Sequence, residues 1–194
     1  DRRRSRVGAE MCIRDRYDNK DMFDQAGVPY PREGWTWDDF LAASKKIAAD
    51  RNGDGKPDQF ACDAPLQSDG IAFWIWQNGG RLFTPDMSRC LLDQPAALGA
   101  VQFLADCQYK HRVFPSPEQA QDLGGGGEMF RAGRQAMFIQ GRWGCQSFRG
   151  ATYPDGRPLN WDVGPVPMKK QAATVLFANC YVCLLYTSPS PRDS

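Results

Sequence analysis

The chain has 194 residues, 42% of them apolar and 12% aromatic, enough for one sizeable hydrophobic core. No run of it approaches the roughly 18 apolar residues that a membrane-spanning helix needs. The formal net charge is +1, but without residues 1–16 and 183–194 there remain 17 basic against 19 acidic residues, which excludes an electrostatic footprint for nucleic acid.

Those two ends are set apart by a pattern in coding DNA. Met11-Cys12-Ile13-Arg14-Asp15 can be written as a DNA whose opposite strand, read one base out of phase, encodes Leu184-Leu185-Tyr186-Thr187. Two unrelated protein segments have no physical reason to be each other's antisense. Both ends resemble translated sequencing-adapter DNA, and no fold is expected of residues 1–16 or 183–194. They carry Cys12 and Cys183, which leaves five cysteines with no CxxC pair and a single histidine, a poor set for a zinc site.

Residues 18–26 read as a short helix stopped by Gly27, with Pro29 and Pro31 beyond it. Thr36 and Asp39 have capping-box spacing and predict a helix to about Asp50, with Phe40, Leu41, Ser44, Ile47 and Ala48 on one stripe. A polar loop follows, then a candidate strand at 59–63. Residues 69–77 are apolar all round and predict a buried helix ended by Asn78-Gly79-Gly80. Asp93 is the expected cap of the strongest helix, 95–111, where Ala97, Ala100, Val101, Leu104 and Cys107 recur at helical spacing. Ser116 starts a further short helix. Beyond the glycine run 124–127 come a helical turn at 128–132, a strand at 135–139 closed by Gly141, and a helix at 142–148. Strands at 161–163 and 174–178 complete the reading, and helices alternating with short strands predict α/β architecture.

Four blocks, in this order, resemble the family-1 extracellular solute-binding proteins of ABC importers, the group that includes the maltose-binding protein. They are YDNKDMF with GVPYP and WTWDDF; WIWQNGG from Trp74; the long helix leading into FPSP; and MFRAGRQAMFIQGRW with WDVGPVP. Such proteins have two α/β lobes joined by crossing strands, with the ligand between them. The resemblance implies that residues 17–172 are the second lobe of a type II periplasmic-binding-protein fold, incomplete here, and that 173–182 are a hinge strand returning to the first.

The resemblance also implies a site. A sugar needs flat aromatic surfaces for its C–H faces and hydrogen-bonding groups for its hydroxyls. Trp143 matches the position where an aromatic packs on the sugar ring, Gly141 permits close approach, and Arg142 is a hydroxyl donor. Trp74 and Asn78 match the cleft-lining helix and its following turn, with Ser68 and Asp69 as hydroxyl binders at the helix start. The expected partners are a sugar or related polyol and a membrane permease, for a monomer working in the periplasm or outside the cell, lipid-anchored or not.

One loop is read on spacing alone. Asp50, Asn52, Asp54 and Asp58 fall at positions 1, 3, 5 and 9 of an EF-hand-like loop, with Gly55 at 6. Position 12 is Ala61 rather than Glu, although Asp63 lies two residues on. A structural calcium is one reading, a turn rich in Asp and Gly the other; no cofactor is required. No acid–base pair stands out, so a non-enzymatic role is expected. A carbohydrate-active hydrolase and a calcium-dependent interaction module remain the alternatives.

Overall fold

The computed structural model describes residues 14–63 and 68–176, and of Arg14, Ser68 and Asp69 the backbone alone. Its sheet has three strands, β1 (Arg14–Asn19), β2 (Met137–Gly141) and β3 (Trp161–Gly164), in the order β2-β1-β3 with both pairs antiparallel. Residues 60 and 61 run beside β2 in parallel. The amide of Phe60 donates to Arg134 O at 2.8 Å and that of Met137 to Ala61 O at 2.7 Å. The helices are α1 (Lys20–Gln25), α2 (Trp37–Ile47), α3 (Ser68–Gln77), α4 (Pro95–Ala105), α5 (Pro117–Asp122), α6 (Gly126–Arg131) and α7 (Gly144–Phe148).

The sheet separates two cores. Side chains alternate across a strand, so Met137 and Ile139 of β2 enter one core with Phe23, Phe40, Ile47, Phe73, Trp74 and Leu104. Phe138 points the other way and packs with Tyr17, Phe130, Phe148 and Leu159. A sheet covered on both faces is the α/β arrangement that the alternation of elements predicted.

β1 corrects one boundary. It begins at Arg14, inside the stretch for which no fold was expected, and it is the central strand. Arg16 is fully buried there: its Nε and Nη2 donate to Asp18 at 2.7 and 2.9 Å, and its Nη1 to Pro165 O at 2.6 Å. Its guanidinium also lies 4.8 Å from the centre of the Trp35 ring. Asp18 and Asn19, read as helix in the sequence, close the strand, and Asn19 caps α1 by accepting from Met22 N.

Capping chemistry sets the helix starts. Thr36 and Asp39 make the expected capping box on α2, which buries Trp37, Phe40, Ala43, Ser44 and Ile47. Ser116 and Gln119 make a second on α5. Asp93 is not the cap of α4. Gln94 holds that position without a side-chain bond, and the Asp93 carboxylate is taken by Arg89 and by Gln94 itself. The expected run to His111 stops being α-helical at Ala105 and continues as one π-helical turn, Asp106–Lys110. The hinge strand expected at 173–182 lies outside the described residues beyond 176.

Candidate functional site

β1 runs opposite to both neighbours, so β2, β3 and residues 60–61 all point one way. Their C-terminal ends share an edge formed by Asp63, Gly141 and Gly164, beside the start of β1, as the registers Arg14↔Gly141 and Arg16↔Gly164 require. In open α/β sheets that edge is where ligands bind, because loops diverging from the strand ends leave a crevice.

Gly141, Arg142 and Trp143 form a corner at this edge, between β2 and α7. Tyr17 of β1 holds it: its hydroxyl donates to Gly141 O at 2.9 Å and lies 3.4 Å from Cys145 Sγ. Burial and the Cys145 contact keep the Tyr17 proton on well above its ordinary pKa, so it stays a donor. Gly144 packs on the same phenol, where an added Cβ would come within 3.0 Å. The Trp143 ring folds back over Gly141, and a Cβ on Gly141 would overlap its six-membered ring. The close approach expected of Gly141 is therefore made by Trp143 itself. Trp143 as a residue remains 47% exposed, and Arg142 is exposed beside it.

The other expected residues separate. Trp74 is 2% exposed and is a core anchor, not a cleft residue. It meets Trp37 edge-on at 5.3 Å and Phe40 at 5.8 Å, with Phe73 and Phe103 also against it. A helix apolar all round gives no sign of which face is inward. Two residues on, about 200° around the helix, Trp76 keeps part of its surface and lines a hollow with Phe83, Met87 and Gln171. Asn78 is spent on α4, its Nδ2 donating to Ala96 O at 2.8 Å. Ser68 and Asp69 open α3 as expected, and their side chains lie outside what is described.

The acidic loop closes on itself. Asp50 accepts from the amides of Gly53 and Gly55, both at 2.7 Å, Asn52 from that of Asp54, and Asp54 from that of Lys56. Asp58 accepts from Arg51 N at 2.9 Å. Ala61, at position 12, is buried, and Asp63 accepts from Gln135 at the sheet edge. Among the described residues no group of three or more His, Cys, Asp or Glu comes together to hold a metal. Asp63, which ends the candidate strand 59–63, stands at this edge, and no binding role was expected of it. Its place at the end of a strand was the available signal.

A mixed sheet with helices on both faces, its parallel ends meeting at one aromatic corner, is one lobe of a periplasmic-binding-protein fold. The chain belongs to the bacterial extracellular solute-binding protein family, whose model matches residues 15–189. That match runs past Val182 into the stretch set apart on its DNA pattern. An ABC substrate-binding protein from Listeria monocytogenes, solved in complex with cycloalternan, is 30% identical with a TM-score of 0.74 over 86% of this chain and 40% of its own. A solute-binding protein from Thermotoga lettingae, bound with α-D-tagatose, is 28% identical with a TM-score of 0.68 over 84% of this chain and 41% of its own. A maltose-bound T. maritima protein shares the fold at 20% identity and a TM-score of 0.65, over 87% of this chain and 42% of its own. The chain thus spans about two fifths of the length of these solved relatives. No curated protein matches it. Among the described residues no helix is long and apolar enough to cross a membrane.

Proposed function

We propose that this chain forms one wall of a sugar-binding cleft in the solute-capturing component of an ABC importer. The observation that carries the reading is the exposed Trp143 ring, held over Gly141 at the C-terminal edge of the sheet. A flat apolar face with a hydrogen-bonding Arg142 at its rim suits the C–H face and hydroxyls of a sugar or related polyol. The cycloalternan and tagatose in the complexes of the Listeria and Thermotoga lettingae proteins support that class of ligand. The second wall comes from a first lobe, and ligand favours the closed arrangement, which is presented to the permease. The role is binding without turnover, by a monomer outside the cytoplasmic membrane, with or without a lipid anchor. No cofactor enters it, and a melting temperature that rises with calcium over chelator would add a structural cation at Asp50–Asp58.

The test is calorimetric titration of the two-lobed protein with neutral mono- and oligosaccharides. One-site binding without product formation is expected, with Trp143→Ala weakening it by about tenfold or more, the loss of one aromatic contact. Product accumulating during incubation would replace this reading with a hydrolase. No binding to any sugar would end it.

A further inference from the structure

Gly141 closes β2 with a backbone that does not require glycine. Its φ lies outside the left-handed region, so alanine would fit its conformation. What glycine supplies is room. The three atoms nearest to an added Cβ all belong to the six-membered ring of Trp143, and the Cβ would overlap them. The ring therefore rests on the bare Cα of the strand end as on a ledge.

Side chains hold that ledge still. Gln140 Oε1 accepts from Gly141 N at 3.0 Å, and the Tyr17 hydroxyl donates to Gly141 O at 2.9 Å. Tyr17 is fully buried in the central strand, its ring set against Phe148 at 5.4 Å and Trp161 at 5.7 Å. Packing at this place asks only for a phenyl ring, which phenylalanine would supply. The hydroxyl adds the bond to the Gly141 carbonyl, and a buried hydroxyl costs stability unless it is so used.

From this geometry we infer that Tyr17 and Gly141 are positioning residues of the sugar site, which set the Trp143 ring before the solute arrives and do not meet the solute themselves. Gly141 acts through the tryptophan by leaving space for its ring, and Tyr17 acts through Gly141 by fixing its carbonyl. A ring already in place loses little freedom on binding, so more of the stacking energy remains as affinity. The inference rests on the sugar-cleft reading above and states how the aromatic surface of that site is kept in order.

The experiment is a double-mutant cycle, measured by calorimetry on the two-lobed protein with the neutral sugar that binds tightest in the titrations. Gly141→Ala should weaken binding by about tenfold or more, as Trp143→Ala does, and Tyr17→Phe by roughly fivefold, the loss of one hydrogen bond. Once Trp143 is already alanine, neither change should alter affinity by more than about twofold, because residues acting through one ring are not additive. A merely structural role would lower the melting temperature and leave affinity alone, whereas Gly141→Ala should do the reverse. Should Gly141→Ala lose its fold, as judged by circular dichroism, the Tyr17→Phe arm of the cycle decides. A folded variant that binds within about twofold of wild type, or that loses as much affinity without Trp143 as with it, overturns the inference and leaves the cleft reading standing. If Trp143→Ala binds as wild type does, or no neutral sugar binds at all, the cleft reading falls and the inference falls with it.

Discussion

At the scale of single residues, two tryptophans from similar-looking surroundings have opposite fates. Trp143 follows a strand end and a glycine, so its ring has the sheet edge to lie on and solvent above it. Trp74 sits in a helix whose every face is apolar, and the face it occupies is turned to Trp37 and Phe40. Their truncations should differ accordingly. Trp74→Ala is expected to cost about 3–5 kcal/mol in a denaturant titration, through the cavity left in the core. Trp143→Ala should leave unfolding nearly unchanged and act on ligand affinity. Equal destabilisation by the two would mean that the Trp143 ring is structural. The corner was legible because Gln140-Gly141-Arg142-Trp143 resembled a known pattern; Asp63 was not, because an acid ending a short strand carries no local mark and only the strand register puts it at the edge.

At the scale of elements, the capping boxes were readable directly, since they depend on residues three apart and on nothing else. Carboxylates held at a cap or a turn also link stability to pH. The hydroxyl and amide of Thr36 hold Asp39 below its ordinary pKa, and hydrogen bonds from Thr84 and Ser88 hold Asp86 at about 2. A carboxyl whose folded pKa lies below its unfolded one contributes stability above the unfolded value and loses it as pH falls through the folded one. The melting temperature should therefore decline as pH drops from the ordinary 3.8 toward about 2, and Asp39→Asn should flatten part of that decline. A pH-independent melting temperature across that window would contradict the assignment. β2 was readable because its alternation serves two cores, whereas α4 misled at its start: Asp93 has the right chemistry for a cap, but Arg89 and Gln94 claim it.

At the scale of the whole molecule, the buried Arg16–Asp18 pair ties the central strand to Pro165, on the segment leaving β3, and to Trp35, just before α2. Burial lifts Asp18 above its ordinary pKa against the pull of Arg16. Removing one partner of such a pair strands the other charge. Asp18→Ala is expected to destabilise the lobe by about 3–5 kcal/mol, measured by chemical denaturation. A loss below about 1 kcal/mol would place the pair among solvated ones.

The sequence by itself determined the class of the protein. Periodicity, caps and glycine stops are local, so they read out as helices alternating with strands, and four ordered blocks tied that pattern to a solute-binding lobe. Tertiary structure decided which residues meet. Arg14 to Asn19 became the central strand only because β2 and β3, more than a hundred residues away in the chain, supply the partners its backbone needs. Packing against Trp37 and Phe40 turned Trp74 inward, and strand pairing set Asp63 on the edge with Trp143, since pairing direction fixes which strand ends share a crevice and no local pattern records it.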